Sequence, residues 1–186
     1  MRRVIVFNMV SLDGYFVDGK GDMSWAHKND EEWNTFVGGN ASGNGTLLFG
    51  RVTYEMMASY WPSPMALKNS PTVAKGMNEM PKIVFSRTLD NATWNNTKLL
   101  KGELAAEVRK LKNEPGPDMV ILGSGSIVSQ LAQHNLIDEY QVAVSPIALG
   151  KGRTMFEGLT DKLKLKLTKS RTFGNGTVFV CYQPQA

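Results

Sequence analysis

Three short segments of the chain combine glycine, hydroxyl or guanidinium groups directly after an apolar run. They read 48-LFGRVTYE-55, 84-VFSRTL-89 and 121-ILGSGSIV-128. In open sheets of alternating strands and helices, ligands bind at the carboxyl ends of the strands. Helix N-termini there carry unpaired N–H groups that attract phosphate, and arginine adds forked donors that suit it. Together the three turns predict a site for a dinucleotide that carries an extra phosphate.

Each of these turns alone is a weak signal. The segment 123-GSGS-126 departs from the G-x-G-x-x-G fingerprint, because Val128 occupies the position of the last glycine. The sequence also has no G-x-x-x-x-G-K-[ST] motif, which argues against a P-loop nucleotidase. Taken by itself, the glycine turn is more typical of a plain corner between a strand and a helix. Its meaning therefore depends on the elements around it.

Hydrophobic periodicity predicts the elements that position these turns. Strands are expected at 3–11, 46–50, 82–86, 118–122, 138–149, 162–172 and 176–183, and helices at 29–39, 52–60, 103–113 and 126–134. Long loops are expected at 11–25 and, because of its prolines, after residue 60, and 173-FGNG-176 predicts a hairpin turn. Because strands and helices alternate before a final run of strands, we expect an α/β fold with a mostly parallel sheet and an antiparallel edge.

Composition is ordinary for a soluble globular protein. The 186 residues fit one domain spanning 1–186, and the net charge of +4 is spread along the chain, which disfavours nucleic acid as a partner. No apolar run approaches the roughly 18 residues of a membrane span. The single Cys181 lies in an apolar run and predicts buried packing in a reducing compartment. We therefore expect a cytoplasmic protein, and two isolated histidines predict no metal site.

The order of several motifs resembles the dihydrofolate reductase-like superfamily. Along the chain they are SLDGYF, GDMSW, LLFGRVTYE, KIVFSRTL, ILGSGSIVSQL and LIDEYQVAVSPIALGKGRTMF. The resemblance covers nearly the whole chain, and its most specific parts are the G-R-x-T step and the final LIDEY…P…LGKGR…F pattern. It is strongest to the branch that contains the riboflavin-pathway pyrimidine reductase domain and its stand-alone relatives.

This resemblance implies a three-layer α/β reductase that uses NADPH, with a small-molecule substrate and a homodimeric assembly. The implied cofactor contacts lie in the loop after the first strand, the G-R-x-T turn, the S-R pair and the glycine turn. They are Ser11, Leu12, Asp13, Gly50, Arg51, Thr53, Ser86, Arg87, Gly123, Ser124, Gly125, Ser126 and Ile127. Folate enzymes carry a cis Gly-Gly step in the last turn, and the Gly123-Ser124 pair here makes a cis bond less expected.

The implied catalytic acid is Asp30, because Trp25, Asp30 and Trp33 repeat the Trp–acid–Trp spacing of the folate enzymes. The alternative is that Asp30 is a helix N-cap, where aspartate is common. The implied substrate pocket contains Trp25, Tyr54, Met57 and Trp61, since sites for flat heterocycles are mostly apolar. For the helical members of this set, packing against the sheet is an equally good interpretation.

The substrate stays open at this stage. A folate reductase would place an arginine near Met80 and a threonine near Ala143, and the pyrimidine reductases usually begin the glycine turn with Glu-Gly-Gly, where this chain has Leu122-Gly123-Ser124. The leading interpretation is hydride transfer from NADPH to a small, flat nitrogen heterocycle or a related C=N or C=O substrate, such as 5-amino-6-(5-phosphoribosylamino)uracil. The alternatives are a true dihydrofolate reductase and a non-catalytic nucleotide-binding protein on the same fold.

Overall fold

The computed structural model describes residues 1–27, 30–41 and 43–185, and within these ranges eight strands form one mixed sheet. Its strands are β1 (Val4–Ser11), β3 (Thr46–Gly50), β4 (Lys82–Phe85), β5 (Thr97–Leu100), β6 (Met119–Leu122), β7 (Glu139–Ser145), β9 (Leu165–Thr172) and β10 (Val178–Pro184). The strand order is β5-β4-β3-β6-β1-β7-β10-β9; the first six strands are parallel, β10 pairs antiparallel with β7, and β9 pairs antiparallel with β10. The predicted α/β sheet with an antiparallel C-terminal edge is confirmed.

The helices cover both faces of this sheet. They are α1 (Glu31–Ala41), α2 (Arg51–Tyr60), α3 (Pro64–Asn69), α4 (Pro71–Glu79), α5 (Leu104–Asn113) and α6 (Gly125–Gln133). A short 3-10 helix spans Ser24–Ala26, and a separate two-stranded ribbon pairs β2 (Tyr15–Asp18) with β8 (Gly152–Thr154). The first residue of the helix predicted over 29–39 lies outside the described residues.

The core is divided differently on the two faces. On one face, α5 and α6 pack on a single cluster that includes Val6, Leu48 and Ile121. On the other face there are two separate clusters: Trp33 of α1 packs over β7 and β10, and Tyr54 of α2 packs with α4 over β3 and β4. Because side chains alternate along a strand, neighbouring residues of one strand serve opposite faces.

Several elements differ from the sequence prediction. The segment after residue 60, expected as a proline-rich loop, forms α3 and α4, because Pro64 and Pro71 each occupy the first turn of a helix, where proline is tolerated. The strand expected at 138–149 ends at Ser145, directly before Pro146. The short strands β2, β5 and β8 were not predicted.

Helices α1 and α4 cross closely at the end of α1. A Cβ atom placed on Gly76 would lie 2.1 Å from the backbone oxygen of Ala41, so only glycine fits there. A Cβ atom placed on Gly38 of α1 would lie 3.8 Å from the Thr72 methyl of α4, an ordinary contact distance. Among the helices in the described ranges, none has both the length and the apolar character that a membrane span requires.

Candidate functional site

The three predicted turns meet at one edge of the sheet. Gly50 at the end of β3 pairs in register with Phe85 at the end of β4, and Leu48 pairs with Ile121 of β6. Parallel strands that end in register present their following turns side by side. The structure therefore brings the GRVT, SRT and GSGS turns together at the carboxyl edge, as the sequence predicted.

Ser124 links two of these turns directly. Its hydroxyl oxygen accepts a hydrogen bond from the backbone N–H of Gly50 at 3.0 Å, and its own N–H donates to the Thr53 hydroxyl at 3.2 Å. These two bonds fix the N-terminus of α2 against the N-terminus of α6. Thr53 keeps its hydroxyl proton to donate to a ligand, because it only accepts in this contact.

Asn8 of β1 holds the glycine turn from the other side. Its side-chain oxygen accepts the Gly123 N–H at 2.7 Å, and its amide donates to the Gly123 carbonyl at 3.4 Å. Sequence reasoning missed this residue. The signal was a single polar side chain inside the apolar run VIVFNMVS, and such a buried amide requires partners.

The glycine turn has an unusual backbone. Gly123 and Ser124 both adopt positive φ, at 60° and 54°, which is costly for serine. A Cβ on Gly123 would lie 3.1 Å from the Thr53 methyl, and one on Gly125 would lie 2.8 Å from the Phe16 ring. Glycine is therefore needed at both positions for close packing, and none of the peptide bonds between described residues is cis.

Both helix N-termini at this edge are without a side-chain cap within the described part of the chain. The N-cap of α2 is Gly50, which has no side chain, and the hydroxyl of the α6 N-cap Ser124 is engaged with Gly50. The Ile127 N–H already donates to the Ser124 carbonyl at 2.8 Å, and its side chain is buried. First-turn N–H groups of α2 and α6 therefore face the same edge uncapped, an arrangement that fits a pyrophosphate.

The predicted arginines and Ser86 differ in what they already bind. Arg51 is exposed and forms an ion pair with Glu55 at 3.0 Å, and Arg87 is exposed. The Ser86 hydroxyl accepts from the N–H groups of Thr88 and Leu89, which fixes its own turn. An exposed i,i+4 ion pair contributes little to stability, so Arg51 is free to exchange Glu55 for a phosphate.

The loop after β1 is held by Asp13. The Ser11 hydroxyl donates to the Asp13 carboxylate at 2.6 Å, and the N–H groups of Leu149 and Gly150 donate to it at 3.0 and 2.7 Å. The Ser11 bond, followed by the Gly150 and Leu149 bonds, lowers the pKa of Asp13 to about 2. Asp13 thus joins the loop after β1 to the loop after β7, and we call this set of hydrogen bonds the Asp13 latch. The side chain of Leu12 is left 72% exposed.

Asp30 is the N-cap of α1 in the structure. Its carboxylate accepts the Trp33 N–H at 2.8 Å, and an open cavity of about 570 Å³ lies beside it, lined by Asp30, Glu31, Glu32, Thr35, Phe36 and Arg171. Trp33 is buried in the core, and Trp25 is half-buried with its indole N–H on the Asp22 carbonyl at 3.2 Å. Asp30 therefore caps α1, as the alternative interpretation of the sequence expected. Its role as a catalytic acid stays a prediction.

The aromatic residues of α2 separate into core and surface. Tyr54 is 3% exposed, and its hydroxyl oxygen accepts a hydrogen bond from the backbone N–H of Trp94 at 2.9 Å. Tyr54 therefore packs in the core. Met57 and Trp61 are half-buried and touch each other, with the indole nitrogen 3.0 Å from the Met57 sulfur. Of the residues predicted for the substrate pocket on this helix, Met57 and Trp61 keep accessible surface and Tyr54 does not.

A cleft follows from the division of the core between α1 and α2. Where the two clusters meet, the side chains of Phe7, Met9 and Leu122 are only half-buried, although they lie on the central strands β1 and β6. Phe7 and Leu122 are direct neighbours in register. Three strand spacings separate β3 from β7, so about 14 Å of sheet lies between the strands beneath the two clusters.

The fold and the site together define a dihydrofolate reductase-like α/β protein. Its structure matches that of the dihydrofolate reductase from Enterococcus faecalis complexed with NADP(H), with a TM-score of 0.66 over 99% of this chain and 97% of that chain, at 13% identity. The chain belongs to the RibD C-terminal domain family, whose model matches residues 2–179.

The chain is also similar to two further proteins. The chain is 30% identical over 183 residues to YyaP of Bacillus subtilis (strain 168), an uncharacterized protein, covering 97% of this chain and 94% of that protein. A diaminohydroxyphosphoribosylaminopyrimidine deaminase/5-amino-6-(5-phosphoribosylamino)uracil reductase from Thermotoga maritima shares the fold, with a TM-score of 0.71 and 16% identity. That match covers 99% of this chain and 57% of that chain.

Proposed function

We propose that the protein is an NADPH-dependent reductase of a small, flat nitrogen heterocycle. The observation that carries the proposal is the Ser124 link, which joins two uncapped helix N-termini beside an open apolar cleft. Uncapped N-termini suit the pyrophosphate, and the exposed guanidiniums of Arg51 and Arg87 suit the extra phosphate that distinguishes NADPH from NADH.

The residues of this chain orient the reactants and exclude water. Bound NADPH would supply the hydride. The N–H groups of α2 and α6 and the Thr53 hydroxyl would hold its phosphates, and the Asp13 latch would fix the loop that carries Leu12. Phe7 and Leu122 would form the floor under the substrate ring, and Asp30, at the start of α1, is the proposed source of the proton.

The family and the reductase named among the similar structures support a riboflavin-type pyrimidine substrate over folate. Met80 and Ala143, which stand where folate enzymes have an arginine and a threonine, are buried at 8% and 0% exposure. Neither can grip a glutamate tail or relay a proton. A true dihydrofolate reductase is therefore the less favoured of the two enzyme assignments.

The test is a titration with NADPH and with NADH that follows quenching of tryptophan fluorescence. Micromolar binding of NADPH, weaker binding of NADH, and at least a tenfold loss of NADPH affinity in Arg51→Ala are expected. Arg109→Ala, an exposed arginine on the opposite face, is the control and should bind as the parent protein does. Equal binding by Arg51→Ala and Arg109→Ala would refute the assigned phosphate site.

Binding without chemistry would favour the second candidate, a nucleotide-binding protein that has lost catalysis. NADPH oxidation is then followed by absorbance with dihydrofolate and with pyrimidine substrates in separate assays. Turnover with either class supports the reductase. Tight, Arg51-dependent NADPH binding with no turnover on either class would leave the non-catalytic protein as the better account.

A further inference from the structure

The cleft between α1 and α2 has an apolar floor. Phe7 and Leu122 lie side by side on β1 and β6, and Met9 continues the same face toward the carboxyl edge. All three are half-buried. The residues of β1 that alternate with Phe7 and Met9, namely Val6 and Asn8, are buried on the opposite face. The floor therefore keeps apolar surface that no part of the described chain covers completely.

Helix α2 supplies an apolar wall to the same cleft. The Thr53 side chain marks the flank of α2 that faces β6, since the Thr53 hydroxyl accepts the Ser124 N–H. Met56, Met57 and Tyr60 follow Thr53 by three, four and seven residues, so they lie on this same flank. Met56 is 39% exposed, and Met57 and Tyr60 are half-buried.

The elements that border the cleft are almost free of positive charge. The described residues of α1, β1 from Phe7 onward and β6 contain no lysine or arginine, and α2 contains only Arg51. Arg51 is at the cofactor end and is paired with Glu55. Asp30, Glu31 and Glu32, at the start of α1, line an open cavity together with Arg171, which belongs to β9 at the edge of the sheet and pairs with Glu32.

From this distribution we infer that the cleft takes a planar ring system whose non-reacting end carries no phosphate or carboxylate. This inference rests on the proposed reductase function and narrows its substrate class, because it keeps a pyrimidine-like ring and excludes a phosphoribosyl form such as the one in the name of the Thermotoga maritima reductase. An anionic tail in the cleft would lie among methionine and aromatic side chains, and the described residues of α1, β6 and β1 from Phe7 onward supply no lysine or arginine as its counter-ion. Methionine side chains are flexible and polarisable, so Met9, Met56 and Met57 suit flat rings of more than one outline.

Riboflavin and flavin mononucleotide form a matched pair of probes, because they share one flat nitrogen heterocycle and differ by one phosphate. Each is titrated against the full chain by flavin fluorescence, in the presence of saturating NADP⁺ so that the cofactor phosphate sites are filled. Riboflavin is expected to bind at least tenfold more tightly than flavin mononucleotide. Equal or tighter binding of flavin mononucleotide, or no binding of riboflavin, overturns the inference.

A charge placed on the wall supplies a second test. Met56→Lys is expected to raise affinity for flavin mononucleotide at least fivefold and to abolish the preference for riboflavin. Ala106→Lys, at an exposed position of α5 on the other face, adds the same charge and should leave the preference unchanged. An equal response of the two variants would also overturn the inference. The NADPH titration is separate, so a failure of the reductase proposal itself is recognised by loss of NADPH binding.

Discussion

The Ser124 hydroxyl oxygen lies 3.0 Å from the backbone nitrogen of Gly50, a residue 74 positions earlier in the chain. Ser124 makes this contact from a left-handed conformation, with φ at 54°. A serine held in that region costs about 1–2 kcal/mol, and such strain concentrates at ligand sites. The contact thus locates the point at which the two helix N-termini are held together.

Ser124 variants should separate stability from cofactor binding. Ser124→Ala removes the acceptor of the Gly50 N–H and should lower the free energy of unfolding by about 1 kcal/mol. Ser124→Gly loses the same bond but relieves the left-handed residue, so its stability should stay near that of the parent. Both should bind NADPH several-fold more weakly. Urea unfolding and NADPH titration check this, and unchanged NADPH affinity in both variants would contradict it.

Asp30 offers an isosteric test of its two roles. Asparagine caps helices about as well as aspartate, so Asp30→Asn should keep the stability of the parent protein while losing the acid and most of the turnover. Asp30→Ala should lose turnover and also about 1 kcal/mol of stability. The measurements are thermal unfolding and the dependence of kcat on pH. Full activity of Asp30→Asn would show that the residue is only a cap.

Tyr54 and Tyr60 form a matched pair on one helix. Tyr54→Phe leaves the Trp94 N–H without its acceptor and should lower the free energy of unfolding by about 1–3 kcal/mol, with unchanged KM. Tyr60→Phe, on the cleft flank, should change KM for the substrate and leave stability nearly unchanged. Denaturant unfolding and steady-state kinetics on both variants test this. A change in KM without a loss of stability in Tyr54→Phe would indicate that Tyr54 lines the substrate pocket.

The Asp13 latch should be sensitive to acid. Because the pKa of Asp13 is lowered from 3.8 to about 2 by its hydrogen bonds, the folded state favours the ionised form. Its contribution to stability is complete above pH 4 and is lost as the pH falls toward 2. Asp13→Asn should remove this part of the pH dependence and speed amide exchange at Leu149 and Gly150. Unaltered exchange at both amides would mean that the latch does not hold the loop.

The sequence was sufficient for every described strand of the large sheet except β5, and for the turns, because these follow from local rules. Apolar runs gave β3, β4 and β6 nearly to the residue, and parallel strands in register then place GRVT, SRT and GSGS at one edge. The roles within the turns depend on long-range contacts, and so were not predictable. Asn8 and Ser124 acquire their roles only through partners that are far away in sequence.

The missed helices, and the choice between core and pocket that stayed open for Tyr54, have physical reasons. Pro64 and Pro71 indicated a loop, but a proline in the first turn of a helix loses no hydrogen bond. Tyr54 and Met57 are both large, mostly apolar side chains on α2. Only the orientation of α2 on the sheet decides which of them is buried in the core and which borders the cleft. The contact of Thr53 with the glycine turn sets that direction, and periodicity alone does not contain it.

The close crossing of Gly76 with Ala41 fixes the C-terminal end of α1 against α4, which shares a core cluster with α2. Rotation of α1 about this crossing moves its far end most. The helix is about 15 Å long, so a turn of about 5° shifts its first residue by about 1.3 Å. A bulkier residue at position 76 would displace this crossing and so shift α1. The width of the cleft at the start of α1 would then change, although position 76 does not touch the proposed substrate.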